Sequence, residues 1–447
     1  MSIENNRIKG ISRRDFMKKT SMAAGGGLLL GSLPISASAY AAGNDTLKVA
    51  VVGCGGRGTG AANQALNADP GVKIVALADL FRNRLDDCYN ALSQRHLETG
   101  RLDVPEEHKF VGFESFKKAI PLADVVILTA PPGFRPAHFE ECVKHGKHMF
   151  CEKPVATDAP GIRRFMKAAE EARKKKLNVV LGLQRRYQDN YRAGYQRIVE
   201  EGMIGDIVSA QAYWNEAGVW VRHREPGMSE LEYQTHNWFY FTWLAGDQIL
   251  EQNIHNIDVV NWFTGEYPET AQGMGGREVR TGKEYGQIFD HNFIEYTYPG
   301  GTVLHAQCRH QRNTWSRVGE TLQGTKGSIQ YAGYNHNALV RDRNGNILYD
   351  HDGRDDPNPY QQEHDELFAA IRSGEYIDDS DYGAKTTMTA IMGRMASYSG
   401  QMVQWDDAIN SDAQLMPYDV TEDTEPPVLP DEDGFYPVPV PGVSDPH

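Results

Sequence analysis

A glycine-rich turn between a short apolar run and a helical stretch is the feature that most constrains the fold of this chain. The apolar run occupies residues 47–52, the turn reads GCGGRG at residues 53–58, and the helical pattern continues to about residue 67. A second apolar run follows and ends at Asp79. This order of strand, glycine turn, helix and acidic strand end, with a spacing of roughly 20 residues, is typical of a dinucleotide-binding site.

The glycines permit a tight turn and let a pyrophosphate approach the helix N-terminus. The chain contains 44 glycines, so the turn pattern alone is weak and the flanking strand and helix support the interpretation. We expect six residues to contact the dinucleotide: Gly53, Gly55, Gly56, Arg57, Gly58 and Asp79.

The carboxylate of Asp79 favours NAD as the cofactor. It can accept hydrogen bonds from both ribose hydroxyls and would repel a 2′-phosphate. Arg82 and Arg84 follow closely in the sequence, and either could receive a phosphate, so NADP remains an alternative.

Further apolar runs alternate with helical stretches up to residue 183. They occupy residues 72–78, 124–130, 148–151 and 178–182. Continuous apolar runs between helices indicate a parallel sheet that is covered on both faces. We therefore predict an α/β Rossmann dinucleotide-binding domain over residues 44–183.

The pattern changes after residue 185, where strand-like runs follow one another with turns between them. One helix, residues 247–263, interrupts these runs. We predict an α+β domain with a large, mostly antiparallel open sheet over residues 184–383. Residues 384–410 should form a helix that packs back on the Rossmann domain. Residues 411–447 are acidic and proline-rich, which favours an extended arm or a disordered end.

Residues 1–43 have the pattern of an export signal. A charged start with Arg13-Arg14 and Phe16 precedes a short apolar run and a small-residue end, with cleavage expected after Ala39 or Ala41. The arginine pair resembles a twin-arginine signal, which implies the twin-arginine export machinery as a partner and a periplasmic location. A disordered basic arm is the alternative.

Composition narrows the possible partners and the folding conditions. The net charge of −14 argues against nucleic acid, which normally requires a basic face. The five cysteines form no CxxC pair and their number is odd, so a disulfide framework is not expected. Twin-arginine substrates cross the membrane folded, often with a cofactor loaded, and folding under reducing conditions agrees with that route.

Three more motifs stand at predicted strand ends and in the second-domain helix. TAPPGFRPAH occupies residues 129–138, CEKP residues 151–154, and GDQILEQNIHNID residues 246–258. In CEKP, Glu152 and Lys153 come directly after an apolar strand. Two opposite charges at the exposed carboxyl end of a strand suggest chemistry.

The order of these motifs after GCGGRG resembles the Gfo/Idh/MocA family of sugar and polyol dehydrogenases, which includes glucose–fructose oxidoreductase and inositol dehydrogenase. The resemblance covers roughly residues 46–400. It implies that Lys153 lies beside the nicotinamide and assists proton transfer from the hydroxyl being oxidised. It also adds these residues to the cofactor site: Pro131, His138, Glu152 and Lys153.

The same resemblance makes His255 the catalytic histidine, a general base toward the substrate hydroxyl. The family pattern is D-x-x-x-H, and this chain departs from it by carrying Glu251 four residues before His255. On a helix these two residues share a face. Glu251 is therefore a catalytic candidate that either keeps the role of the aspartate or supports His255.

Two other interpretations of this helix remain open. E-x-x-x-H could begin a metal site, but no second such helix and no Cys/His cluster accompany it, so no metal is predicted. A buried histidine satisfied by a neighbouring carboxylate is the other alternative.

Substrate contacts are expected from residues that follow predicted strands. Aromatic faces with amide, imidazole and guanidinium donors suit a carbohydrate ring. We expect four residues to bind substrate: Arg186, Tyr187, Asn215 and His255. The alternative is that these aromatic residues belong to the core and these charged residues to the surface, without contact with substrate.

The leading functional prediction is an exported oxidoreductase that acts on a sugar, glycoside or cyclic polyol. Free NAD is scarce outside the cytoplasm, so the cofactor should stay tightly bound and be regenerated by a second substrate. The alternatives are an NAD-dependent glycoside hydrolase or lyase that acts through transient oxidation, and a non-catalytic sugar-binding module. Relatives pair through the open sheet, which implies a homo-oligomer.

Overall fold

The computed structural model describes residues 46–332 and 337–445. The predicted export signal, residues 1–43, lies outside these ranges. Within them, no helix is long and apolar enough to cross a membrane.

The first sheet has six parallel strands in the order β3-β2-β1-β4-β5-β6. Its strands are β1 Leu47–Val52, β2 Val72–Asp79, β3 Lys109–Val111, β4 Val125–Leu128, β5 His148–Cys151 and β6 Val179–Leu181. The α-helices along this part of the chain are α1 Gly56–Ala68, α2 Arg82–His96, α3 Ser115–Ala119, α4 Arg135–Lys144 and α5 Ala159–Lys174. The strand order reverses between β1 and β4, which is where such sheets bind ligands.

The second sheet has nine strands in the order β14-β13-β12-β11-β7-β10-β9-β8-β15. Its strands are β7 Ile207–Glu216, β8 Thr270–Gly276, β9 His291–Thr297, β10 Val303–His310, β11 Arg317–Gly324, β12 Gly327–Ala332, β13 Asn337–Asp342, β14 Ile347–His351 and β15 Val403–Gln404. The β7–β10 pair is parallel and the other pairs are antiparallel. The two predicted sheet types are thereby confirmed.

Seven further α-helices follow β6 in the described residues. They are α6 Asp189–Tyr195, α7 Glu230–His236, α8 Thr242–Ala245, α9 Ile254–Thr264, α10 Pro359–Ser373, α11 Ser380–Ser399 and α12 Trp405–Asn410. Among them, α9 and α11 pack on the second sheet. Two π-helical turns occur at Gln196–Glu200 and Ile249–Asn253. Short 3₁₀ turns lie at Leu97–Thr99, Glu106–His108, Ile120–Leu122, Pro132–Phe134, Gln184–Tyr187, Trp238–Tyr240 and Lys283–Tyr285. The helix predicted over residues 247–263 is thus a π turn followed by α9.

Helix α10 corrects the predicted domain boundary. Its apolar residues Leu367, Phe368 and Ile371 are buried in the same cluster as β1 and α1. This helix therefore belongs with the nucleotide-binding domain, although the sequence pattern assigned residues 184–383 to the second domain. Helix α11 contacts α5 of the first domain as well as β8 and β9 of the second.

The C-terminal segment 411–445 lies along both domains as an extended arm. The Asp158 carboxylate accepts hydrogen bonds from the backbone N–H groups of Leu415 and Met416, at 2.7 and 2.9 Å. Farther along, Gln234 donates to the Val428 carbonyl at 2.7 Å, and Tyr436 is buried in an apolar cluster. Of the two predicted alternatives, the extended arm describes these residues.

A largely buried ion pair joins the segment after β6 to helix α9. Arg186, which follows β6, makes two hydrogen bonds of 2.8 Å to the Asp258 carboxylate on α9. The Thr386 hydroxyl of α11 donates to the same carboxylate at 2.9 Å. The bidentate geometry of an arginine–carboxylate pair is directional, so it sets the orientation of α9 relative to the first sheet.

Replacing Arg186 by leucine should leave Asp258 as a buried charge without its cation. We expect Arg186→Leu to lower the free energy of unfolding by about 3–5 kcal/mol, measured by urea denaturation. Arg354→Leu is the matched control, since it breaks an exposed pair with Asp352 and should change stability little. Equal losses in the two variants would contradict a structural role for the buried pair.

Candidate active site

A cavity of about 330 Å³ opens at the carboxyl ends of β1, β2 and β4. Eight of the predicted cofactor-binding residues line it: Gly53, Gly55, Gly56, Arg57, Gly58, Asp79, Pro131 and His138. Segment 220–238 of the second domain covers the cavity with the side chains Trp220, Arg222, Thr235 and Trp238.

The glycines of the turn have different structural roles. Gly53 has a φ of +97°, and a Cβ there would lie 2.4 Å from the backbone nitrogen of Ala130. A Cβ on Gly58 would lie 1.9 Å from the Gly53 carbonyl oxygen, so α1 can approach β1 only with glycine there. A Cβ on Gly55 or Gly56 would meet no atom within 4 Å, which leaves the N-terminus of α1 open toward the cavity.

Asp79 ends β2 with its carboxylate at the cavity wall. Its two oxygens accept hydrogen bonds from the backbone N–H groups of Cys54, at 2.6 Å, and Phe81, at 2.8 Å. Burial raises the pKa of Asp79, while the Phe81 and Cys54 N–H groups oppose that shift. Each carboxylate oxygen keeps a lone pair for another donor.

The arginines near Asp79 differ in their availability. Arg82 is held on the surface by Asp86 and Glu106, at 2.9 and 2.6 Å, and lies outside the cavity lining. Arg84 and Arg222 do line the cavity. Burial, together with the nearby Arg84 guanidinium, lowers the pKa of Arg222 to about 10.

These features fit a dinucleotide. The open helix N-terminus at Gly55 and Gly56 can receive a pyrophosphate, and Asp79 can receive ribose hydroxyls. The apolar and aromatic wall beside them suits a base or a nicotinamide ring.

A second cavity of about 350 Å³ adjoins the first. The two cavities share the residues Arg57, Thr129, Ala130, Trp220 and Trp238. The three predicted catalytic residues Lys153, Glu251 and His255 all line the second cavity, and Glu152 does so as well. Its other walls include Trp214, Phe239, Gln252 and Tyr360.

Lys153 lies in direct contact with the segment that carries the histidine. Its ammonium group donates a hydrogen bond to the Glu251 backbone carbonyl and lies 3.5 Å from Oε2 of the same residue. The Lys153–Pro154 peptide bond is cis. His255 is buried and its ring stacks with Trp214 at 5.8 Å between centroids. Two segments that are far apart in sequence therefore meet at one cavity.

The pKa values of the two carboxyl groups beside Lys153 are shifted in opposite directions. Burial raises the pKa of Glu251, with Lys153 opposing that effect. For Glu152, burial acts in the same direction, but Arg57 and Lys153 outweigh it and lower the pKa. Glu152 is thus the ionised partner of Arg57, and Glu251 is the carboxyl group with the greater tendency to hold a proton.

Arg57 and His138 are positioned by neighbours on the first domain. Arg57 pairs with Glu152 and, at 3.4 Å, with Glu363, so the glycine turn is connected to both β5 and α10. Burial lowers the pKa of His138 to about 3, with Arg135 adding to the shift, so its imidazole is neutral. The ring of His138 packs 4.3 Å from that of Phe116.

The structure does not bring the predicted substrate-binding residues Arg186, Tyr187 and Asn215 into the lining of either cavity. Arg186 is bound to Asp258, as described above. The Tyr187 hydroxyl donates to the buried Asp379 carboxylate at 2.6 Å. Asn215 is buried and donates to Gln307 at 3.0 Å. In this structure all three side chains are thus occupied by partners within the protein.

Sequence reasoning did not select several residues of the cavity walls. Trp220, Arg222 and Trp238 lie in a segment rich in aromatic and basic residues, and the sequence does not show which of them line the cavity. Tyr360 comes from α10, and nothing in the sequence connected that helix with the site. In the described ranges, no group of three or more His, Cys, Asp or Glu side chains is arranged to hold a metal ion.

Two family models match this chain. A model described as "Oxidoreductase family, NAD-binding Rossmann fold" matches residues 47–180, and one described as "GFO/IDH/MocA C-terminal domain" matches residues 194–330. Together the matches cover more than half of the chain. The chain belongs to the Gfo/Idh/MocA oxidoreductase family. The resemblance inferred from the motifs is thereby confirmed.

Among curated proteins, the chain is similar to inositol 2-dehydrogenase of Rubrobacter xylanophilus, with 26% identity over 64% of this chain and 72% of that protein. It is also similar to 2,7-anhydro-N-acetylneuraminate hydratase of Escherichia coli, with 27% identity over 47% of this chain and 51% of the relative. Inositol 2-dehydrogenase of Burkholderia cenocepacia is 29% identical over 53% of this chain and 59% of its own length.

Solved structures show the same fold. Scyllo-inositol dehydrogenase of Lactobacillus casei with NAD(H) and scyllo-inositol has a TM-score of 0.60 and 22% identity, over 81% of this chain and 100% of that chain. Aldose-aldose oxidoreductase of Caulobacter crescentus has a TM-score of 0.61 and 19% identity, over 80% and 99% of the two chains.

Proposed function

We propose that this protein is an exported, nicotinamide-dependent oxidoreductase that oxidises or reduces a hydroxyl-bearing carbon of a sugar, glycoside or cyclic polyol. The observation that carries the proposal is the meeting of Lys153 and His255 at a cavity that shares walls with the dinucleotide cavity. The similarity to inositol 2-dehydrogenases supports a polyhydroxylated substrate.

His255, Lys153 and Glu251 have separate roles toward the substrate hydroxyl. The nicotinamide, when bound, supplies the two-electron chemistry. His255 accepts the hydroxyl proton as general base, and the Lys153 ammonium donates a hydrogen bond to the same oxygen as it becomes a carbonyl oxygen. Glu251 holds Lys153 through its backbone carbonyl and lies close enough to exchange a proton with it. Trp214, Trp220, Trp238 and Phe239 offer aromatic faces to a ring.

The cofactor is proposed to be NAD that stays bound through catalysis. Asp79 favours NAD over NADP through its two carboxylate oxygens, although Arg84 and Arg222 stand nearby. Segment 220–238 covers the cavity, which supports slow release of the nucleotide. A second carbonyl substrate would then regenerate the cofactor in a ping-pong cycle.

The export of the protein and the tight binding of its cofactor can be tested on one protein preparation. The chain with its native leader should be recovered from the periplasm with an N-terminus at Tyr40 or Ala42, by intact mass. After dialysis, denaturation should release about one nicotinamide nucleotide per chain, identified by mass spectrometry. A variant with Arg13→Lys and Arg14→Lys should remain in the cytoplasm. Protein that needs added NAD for each turnover would contradict the captive cofactor.

Loss of the lysine should slow the chemistry strongly and spare the fold. We expect Lys153→Met to slow reduction of the bound nucleotide by a sugar, followed at 340 nm and expressed per bound nucleotide, by about 10²–10⁴-fold. His255→Asn should act similarly. Lys144→Met removes a surface lysine that pairs with Glu141 and serves as the control. A Lys153→Met rate within twofold of the control would exclude a catalytic role for Lys153.

A second candidate function is cleavage of a glycosidic or related C–O bond through transient oxidation of the ring. The observations that favour it are the similarity to a hydratase and the partly buried Glu251 carboxyl group, whose raised pKa suits proton transfer. A chromogenic glycoside incubated without added NAD distinguishes the two functions. Release of the aglycone would indicate elimination, and a keto sugar would indicate the dehydrogenase.

Association through the open face of the second sheet is proposed as well. On this face Met274 and Phe293 stand opposite each other on neighbouring strands and are 68% and 36% exposed. Phe293→Glu should convert an oligomer to a smaller species in sedimentation velocity, because it places a charge in an apolar contact. Ile347→Glu, on the edge strand β14, is the control. A wild-type monomer would contradict the proposal.

A further inference from the structure

Gln252 lies at the cavity end of a hydrogen-bond network that starts at Arg280, outside the cavity. Its Oε1 contacts Nε2 of His310, and Nδ1 of His310 contacts the guanidinium of Arg280. Arg280 and His310 are only 3% and 4% exposed, and the ring of Phe239 stacks over His310 at 5.9 Å between centroids. Arg280 and His310 therefore lie in the interior of the second domain.

The donor and the acceptor of each hydrogen bond in this network can be assigned from the chemistry of the groups. A guanidinium only donates, so Nδ1 of His310 must accept from Arg280. The histidine is then the tautomer with hydrogen on Nε2, and that hydrogen is donated to Oε1 of Gln252. The opposite orientation of the Gln252 amide would place two N–H groups against each other. The Gln252 amide nitrogen is consequently the group turned away from His310.

Arg280 is itself held in place. The Asp290 carboxylate accepts hydrogen bonds from the backbone N–H groups of residues 278–280, at 2.6–2.9 Å. The Arg280 side chain also donates to the Phe289 carbonyl at 3.0 Å. A buried polar network whose members all have partners is rigid, because breaking any bond leaves a buried group unpaired.

Gln252 lies in the wall of the second cavity next to Glu251. Both residues belong to the π-helical turn Ile249–Asn253, which interrupts the helix just before His255. Such π turns are frequent at functional sites. The turn brings a carboxyl group and an amide from successive residues to one cavity.

We propose that Gln252 is a specificity-determining residue whose amide nitrogen donates a hydrogen bond to an oxygen of the substrate other than the oxygen being oxidised. His310 and Arg280 are positioning residues that keep this donor directed into the cavity. The inference rests on the proposed function, and it selects substrates with a second oxygen within reach of the reacting carbon, as in a polyhydroxylated ring.

The test compares the wild type with Gln252→Leu and Gln252→Glu in the full chain with its bound nucleotide. The probes are scyllo-inositol, myo-inositol, D-glucose, methyl β-D-glucopyranoside and the monodeoxy forms of the best of them. Gln252→Leu should lower kcat/KM for the best probe about 10-fold, mainly through KM. For one monodeoxy probe, wild type and variant should be equal, because the acceptor oxygen is missing. Gln252→Glu, which replaces the donor by an acceptor, should lose at least as much.

Gln401→Leu, an exposed glutamine outside the site, is the control and should match the wild type. A Gln252→Leu variant that keeps the wild-type kcat/KM for all probes would overturn the proposal. So would a loss that is the same for every monodeoxy probe, because a general structural defect does not distinguish one oxygen.

The positioning role is tested by a double-mutant cycle. His310→Leu should raise KM in the wild-type background and have no further effect on KM in Gln252→Leu. A structural role for His310 would add its own loss in both backgrounds, and that result would overturn the positioning role. His310→Gln keeps an N–H donor and should recover part of the loss.

Failure of the proposed function gives a different result. If no probe reduces the bound nucleotide of the wild type, the oxidoreductase proposal fails while Gln252 is still judged by sugar binding. Binding is measured from tryptophan fluorescence, since Trp214, Trp220 and Trp238 line the cavity. Weaker binding by Gln252→Leu with one deoxy probe insensitive supports the inference. Equal binding by both proteins, or no binding of any probe, overturns it.

Discussion

The buried ion pair between Arg186 and Asp258 is the constraint on which the site depends. Arg186 follows the last strand of the first sheet, and Asp258 lies one turn after His255 on α9. Because the pair is bidentate and the Asp258 carboxylate is buried, it fixes the orientation of that helix against the carboxyl ends of the parallel strands. The π turn before this helix carries Glu251, which contacts Lys153, so the ion pair and the lysine contact together hold the helix beside the first sheet.

Two segments of the chain cover the dinucleotide cavity, one on top of the other. Segment 220–238 lies over the cavity, and the C-terminal arm lies behind that segment, with Tyr436 packed edge-on against Phe241 at 4.9 Å between ring centroids. Tyr436 also donates a hydrogen bond to Glu230 at 2.5 Å. These contacts tie residues near the chain end to the cover of the site, which is the physical basis for expecting slow exchange of a bound nucleotide.

Prediction from the sequence succeeded where a short stretch carries its own geometry. The glycine turn, Asp79 and the Glu152-Lys153 pair each follow directly on a strand, so their position at the sheet edge is local information. It did not anticipate the partners of Arg186, Tyr187 and Asn215, which follow a strand or lie at its end. These partners are Asp258, Asp379 and Gln307, on distant elements. A polar side chain after a strand looks the same in sequence whether its partner is a ligand or another residue.

The sequence by itself determined the two sheet types and the dinucleotide turn, because strand periodicity and turn chemistry depend on neighbours along the chain. The roles of Lys153 and His255 were predicted from the resemblance of their motifs to a family. Only the tertiary structure decided which residues line the cavities. Gln252 faces the site because His310 and Arg280, nearly 60 and 30 residues away, orient its amide. Tyr360 faces it because α10 returns to the first domain. Such contacts are set by packing between elements, and spacing along the chain carries no record of them.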